Sequence, residues 1–219
     1  MKPTGQSVGE MRMTQNTTQT LTRSEATSAR IIAAARTLFV ARNYADVTTD
    51  MIAGAAGVTK GGLYHHFPSK ENLYASMMLD DLERKRRLFE QAVASSGTCR
   101  ERLARLTRDF LGLPDEERQL TRLVRRDINT FTGDDRDRLV RAYQLALPEQ
   151  IEAIIRDGIN DGELAEGDPR ILSWSFVALV EVVVSQYAYD VLGNTSSRLD
   201  HVLDLFFDGA VAKPTGGTQ

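Results

Sequence analysis

The chain of 219 residues has one cysteine, Cys99, three histidines and one tryptophan. A single cysteine excludes an internal disulfide and any multi-cysteine metal cluster, and a reducing cytoplasm is the simple expectation. The polar N-terminus, "MKPTGQSVGEMRMTQNTTQTLTRSEATSAR", lacks the apolar core of a signal peptide. The most apolar run, Ile171 to Leu192, carries Glu181, Gln186 and three serines. A buried helix is expected there rather than a membrane span. The two-residue alternation of strands is scarce. Residues 88–219 hold one histidine, one cysteine and no nucleophile motif, so no enzyme, cofactor or metal is expected.

What is present is helical period and an uneven charge. With 42% hydrophobic residues the chain can bury a sizeable core. Its net charge of -3 hides a split. Residues 1–87 hold 12 Lys/Arg against 8 Asp/Glu, and residues 88–219 hold 15 against 22. A basic first part points toward nucleic acid, although surface charge often only solvates. Residues 1 to about 22 and the tail "AKPTGGTQ" have disordered composition.

Between them the pattern predicts a string of helices. The first runs from about Glu25 to Arg42, with Ile31, Ala35, Leu38 and Phe39 in its apolar stripe. Asn43 stands where a left-handed end residue would. Thr48 should cap a short second helix that Gly57 stops. Thr59 should cap a third, ended by Phe67-Pro68, and Ser69 a long fourth. Further helices are expected over "TCRERLARLTRDFLGL", from Pro114, and from Asp134 or Asp135 through a kink at Pro148. "DGINDGELAEGDP" reads as a loop. Asp168 should cap one long apolar helix to Leu192, and a last helix spans Arg198 to Asp208.

The stretch "GVTKGGLYHHF", Gly57 to Phe67, packs unusual chemistry into eleven residues. It is not a phosphate loop, because the order of a G-x-x-x-x-G-K-[ST] motif and the preceding strand are missing. His65 and His66 point about 100° apart on a helix and cannot share one ion. Two short helices joined at Gly57 do form a helix-turn-helix, whose second helix enters the major groove. Thr59, Lys60, Tyr64 and His65 project away from the buried Leu63–Phe67 side and suit phosphates and base edges. Gly61 and Gly62 cost about 1 kcal/mol each in a helix, which makes sense where a backbone must approach something closely. Thr48 and Thr49 offer hydroxyls and amides to a phosphate, and Lys70 a flanking charge. A plain helical core with a polar rim fits the same pattern.

"TTDMIAGAAGVTKGGLYHHFPSKENLY" resembles the DNA-binding domain of the tetracycline-repressor (TetR) family. The resemblance covers roughly Ala29 to Met78, through "LF", "IA..AGV", "K-G-x-L-Y-H-H-F" and "K-E-x-L". It implies an all-α protein: a helix-turn-helix domain over 23–78, then a helical effector-binding and dimerisation domain over 79–210. It implies that Thr59, Lys60, Gly61, Gly62, Tyr64 and His65 contact DNA, that Thr48 and Lys70 clamp the backbone, and that His66 packs or stays solvated. Asn43 departs from the family's usual glycine after the first helix. Gly62 stands where a threonine, alanine or serine is common, which shifts base reading toward Lys60, Tyr64 and DNA shape.

The second half carries no matching motif. The resemblance implies a homodimer and a small, largely apolar effector, and hence a repressor of double-stranded operator DNA. "LSWSFVALVEVVVSQYAYDVL" and "LDHVLDLFF" are apolar on most sides and could pair as a four-helix bundle about a two-fold axis. Interface candidates are Val183, Tyr187, Leu199, Val202, Leu203 and Phe206, with the chain's own core as the competing home. Pocket candidates are Phe110, Phe131, Tyr143 and Trp174, with Asn129 and Glu181 as polar anchors. Glu181 inside an apolar helix must meet an arginine, a ligand, a partner or water.

Overall fold

The computed structural model describes residues 22–209; the expected arm and tail lie outside them apart from Thr22. Thr22 is a folded cap: its hydroxyl accepts from the Glu25 amide, and Glu25 reaches back to the Thr22 amide. Eleven α-helices occur among the described residues, with no strand.

α1 (Arg23–Ala41) buries Ile31, Ala35 and Phe39. α2 (Thr49–Ala56) and α3 (Lys60–His66) lie across it, followed by α4 (Lys70–Val93). Each start has the capping oxygen its sequence offers: Thr48, Thr59 and Ser69 accept from the amides of Met51, Gly62 and Asn72. Asn43 is not left-handed. It is extended, φ -65°, and begins a short 3-10 turn over Tyr44–Asp46. α1 ends instead on an extended Arg42, which leaves the connection no left-handed position to fill.

α5 (Cys99–Gly112), α6 (Asp115–Asp127), α7 (Gly133–Ala146) and α8 (Pro148–Asn160) wrap the second half of α4. The expected kink at Pro148 is a full break between two helices. Leu147 leaves helical geometry (φ -127°, ψ -77°) because proline crowds the residue before it, and Pro148 starts α8 at the position that needs no amide. The acidic loop is shorter than expected, since α8 continues through Asn160.

The single long helix expected to Leu192 is also two: α9 (Pro169–Val183) and α10 (Gln186–Leu192), bent by 74°. Ser185 accepts from the Ala188 amide and donates to the Val182 carbonyl, so its side chain caps a new helix. Asn194 then caps α11 (Thr195–Asp208), three residues earlier than expected. Among the described residues no single helix is long and apolar enough to cross a membrane.

α4 runs through both halves of the core. Leu73, Tyr74 and Met77 face the helix-turn-helix, and Leu82, Phe89 and Ala92 face the later helices. At its centre the Lys85 ammonium bonds the Asp81 carboxylate and, at 2.9 Å, the Glu117 carbonyl of α6.

α5 and α8 approach closely at Gly158. A Cβ there would lie 2.7 Å from Cys99 Cβ and 2.8 Å from its sulfur. Gly158→Ala should therefore push the two helices apart and destabilise the protein by about 1–3 kcal/mol. A denaturation midpoint unchanged from wild type would refute this. The Cys99 thiol itself is pushed up to about 11 by burial and the nearby Glu163 carboxylate.

Candidate nucleic-acid interface and effector cavity

α2 and α3 meet at a sharp turn because Gly57 takes φ +63°, a left-handed conformation that a side chain disfavours. Its amide closes α2 onto Ala53 and Gly54. Leu63 and Phe67 then turn inward, so Thr59, Lys60, Gly61, Tyr64 and His65 come out together on an exposed face. Thr48 and Thr59 accept the capping bonds with their oxygens, which leaves each hydroxyl proton free to donate. Tyr64 Oη lies 3.2 Å from Thr49 Oγ1, which couples the tips of the two helices.

Two lysines differ. Lys60 Nζ is 2.9 Å from Asp50 on an exposed surface, and this hydrogen bond raises its pKa, so it stays cationic. Lys70 is not a free flanking charge. Its Nζ donates to the Tyr44 carbonyl at 2.5 Å and sits 4.1 Å from the centre of the Tyr44 ring. The glycines differ too. A Cβ on Gly62 would meet the Thr59 hydroxyl at 3.2 Å, a tight contact with the cap. A Cβ on Gly61 would meet nothing within 4 Å, so no contact among the described residues requires a glycine there. His66 packs beside Phe67.

The second half holds an apolar cavity of about 40 Å³ between α5, α6, α7, α8 and α9. Phe110, Tyr143 and Glu181 line it, as expected, with Leu106, Thr121, Leu147, Ile151, Val177 and Val180. No sequence signal separates those aliphatic residues from ordinary core. The other three candidates lie elsewhere. Trp174 stacks on the outer side of Tyr143, with ring centres 6.1 Å apart. Asn129 is exposed and accepts from Arg136. Phe131 stacks on Tyr74 in a separate hollow with Tyr44, Glu71 and Asp127. The break of the chain through a 3-10 turn over Ile128–Thr130 carries both residues away from the cavity.

Glu181 pairs with Arg125 of α6 at the cavity wall. Tyr143 is only 5% exposed, and its Oη has no hydrogen-bond partner among the described residues. Burial raises the pKa of this phenol, which therefore keeps its proton.

The interface candidates divide by burial. Val183, Leu199, Val202 and Leu203 are buried inside the single chain, because α11 packs on α5 and α9. Phe206 is half-buried, edge-on to Phe176. Tyr187 is 76% exposed. The exposed apolar face is one that periodicity did not single out: Ile171, Trp174, Ala178 and Val182 of α9. Their spacing of i, i+3, i+7 and i+11 puts them on one side of the helix.

Residues 31–77 match the family model described as bacterial regulatory proteins, tetR family, and residues 96–188 match the tetracyclin repressor-like C-terminal domain. The chain belongs to the TetR family. It is a DNA-binding transcriptional regulator of that family. The transcriptional repressor KstR2 of Rhodococcus jostii is 28% identical over 182 residues, covering 74% of this chain and 88% of the relative. Two solved TetR-type structures share the fold. FadR of Bacillus subtilis, in complex with stearoyl-CoA, has a TM-score of 0.71 at 20% identity, over 84% of this chain and 99% of that one. AibR, in complex with isovaleryl coenzyme A and operator DNA, has a TM-score of 0.65 at 21% identity, over 83% and 98%.

Proposed function

We propose that this TetR-family protein is a homodimeric repressor whose grip on operator DNA is loosened by a small, largely apolar effector in the cavity behind Glu181. The observation that carries the effector reading is the Tyr143 phenol. A buried hydroxyl without a partner is costly, and one at the wall of an apolar cavity offers a ligand its orienting bond. The coenzyme A thioesters in complex with FadR and AibR support a small-molecule effector.

On the DNA side, Thr48, Thr49, Thr59, Lys60, Gly61, Tyr64 and His65 form the contacting face. Gly62 shapes it through the Thr59 cap, and Lys70 braces Tyr44 behind it. Residues 23–78 act as the DNA-binding unit and 79–210 as the effector and dimer unit. In a dimer the two recognition helices must reach major grooves about 34–36 Å apart.

The transmitter is α6 together with α4. α6 carries Thr121 in the cavity wall and Arg125 on Glu181. It also touches the DNA-binding unit directly: Thr37 of α1 donates to Glu116 at 3.1 Å, and Tyr74 of α4 donates to Asp127 at 2.5 Å. A filled cavity that displaces α6 shifts α1 and α4 with it. A coupling of about 1–3 kcal/mol would change operator affinity roughly 5- to 150-fold.

The test is binding to DNA from upstream of the protein's own gene, against a scrambled segment, at several salt concentrations. Tight, salt-sensitive binding to that segment alone is expected. Equal binding to both segments at every salt counts against an autoregulated operator there.

The α9 face supplies the dimer contact. Ile171 and Val182 are 66% and 61% exposed, and the small Ser175 and Ala178 between them permit close approach of a second α9. Val182→Lys with Ile171→Lys should give a folded monomer by light scattering and remove operator binding. A variant that remains dimeric would place the interface elsewhere.

A further inference from the structure

Two hollows of different chemistry meet at Glu181. One is the apolar cavity; the other is a more open groove of about 580 Å³ lined by Arg122, Arg125, Arg126, Glu181, Ser185 and Gln186. The arginines stand at i, i+3 and i+4 of α6, so they share one helix face, where like charges repel. Arg125 and Arg126 also complement the negative C-terminal end of α6, but Arg122 is a turn earlier. The groove is only partly neutralised from within. Among the described residues Arg125 meets Glu181, Arg126 meets Asp127, and Arg122 bonds the Val184 carbonyl at the α9–α10 break. The remaining acid nearby, Asp190, is bonded by Gln186.

We infer that the effector is an amphiphile whose phosphate-bearing head sits on Arg122, Arg125 and Arg126 and whose apolar tail enters the cavity past Glu181. This rests on the effector reading above and names its ligand class. A single carboxylate, Glu181, holds Arg125 across the mouth of the cavity. A polyanionic head displaces it, because guanidinium groups bind phosphate oxygens in paired, charge-assisted bonds. A neutral apolar ligand would have to pass the ion pair and would bring no anion to the cationic face of α6. Tyr143 lines the same cavity, and its unpartnered hydroxyl is a donor for a carbonyl in a ligand that has one. The cavity of about 40 Å³ is a few times the room one water needs, so a tail of several carbons parts α6 from α9 as it enters. Glu181 is thus a latch, and its release coincides with the movement of α6.

The sole tryptophan, Trp174, stacks on Tyr143 and reports occupancy by its fluorescence. The probes are octanoyl-CoA, octyl phosphate, octanoate, octanol and free coenzyme A. Both phosphorylated octyl probes should bind about tenfold or more tightly than octanoate and octanol, and should weaken with salt. The ratio of octanoyl-CoA to octyl phosphate affinity tells whether a nucleotide-bearing or a simple phosphate head is preferred. Arg122→Gln with Arg126→Gln should bring the phosphorylated probes toward octanol in the same variant. Glu181→Gln, which frees Arg125, should move them the other way.

Octanol binding as tightly as octyl phosphate overturns the inference, as does an unchanged ratio in the arginine variant. So does failure of both phosphorylated octyl probes to bind. The two readings fail separately. Arginine-dependent binding that leaves operator affinity untouched removes the effector role and keeps the ligand class. Release of the operator by octanol, with idle arginines, does the reverse.

Discussion

Lys85→Met is expected to lower the thermal midpoint by about 10 °C, from a loss of about 3–5 kcal/mol. Lys85 and Asp81 are 2% and 0% exposed in the middle of α4. Burial pushes the Asp81 carboxyl up and the Lys85 ammonium down, and each holds the other's charge in place. The lysine is also the only described bridge from Asp81 to the Glu117 carbonyl of α6. Removing it leaves a carboxylate in the core with one side-on contact, Arg84 at 3.3 Å. It also leaves the Glu117 carbonyl without its ammonium donor. The double variant Asp81→Leu, Lys85→Met should recover much of the loss, because buried apolar groups need no counter-charge. Calorimetry on the two variants decides it. Equal midpoints for Lys85→Met and wild type would mean that the pair is solvated. Because the pair ties α4 to α6, Lys85→Met should also weaken any effector response more than its stability loss alone explains.

Lys60→Ala is expected to reduce operator affinity at least about 30-fold, since a base contact contributes about 1–3 kcal/mol and a dimer loses it twice. Lys60 is the one cation on the exposed face of α3 that no core contact immobilises. Its present partner, Asp50, is itself exposed, so DNA phosphates or guanine acceptors compete for the ammonium on open ground. Asp50→Asn should therefore raise affinity slightly and steepen its salt dependence. Tyr64→Phe, which removes the hydroxyl shared with Thr49, should cost less than Lys60→Ala. Fluorescence anisotropy on the operator separates these. If Lys60→Ala binds like wild type while Thr59→Val does not, contact runs through the helix start and not through its first lysine.

The DNA-binding half was legible because its determinants are local. A cap needs its own oxygen and an amide three residues on, so Thr48, Thr59 and Ser69 could be read one by one. Gly57 had to turn left-handed, and the i, i+4 pair of Leu63 and Phe67 had to face inward. Asn43 misled because tolerance of a left-handed conformation is not a demand for it. The sign of the Lys70 charge is in the sequence, while its partner, the Tyr44 carbonyl 26 residues earlier, is not.

The later helices show the opposite case. Apolar period says that a helix hides a face, but not whether its own chain or a second copy hides it. Leu199 and Val202 went to α5 and α9, and Ile171 and Val182 were left outside. The capping power of Ser185 competed with a long apolar run, and tertiary packing settled the contest as a 74° bend. A cavity is the space that packing leaves over, so no residue announces it, and Phe110 and Phe131 look alike until the 3-10 turn at Ile128–Thr130 separates them. The sequence by itself determined the helix starts, the turn at Gly57 and the chemistry displayed on α3, because each depends on neighbours within four residues. Only the tertiary structure decided which apolar faces stay open, where Glu181 finds its arginine and where a ligand could enter, because those depend on side chains brought together from distant parts of the chain.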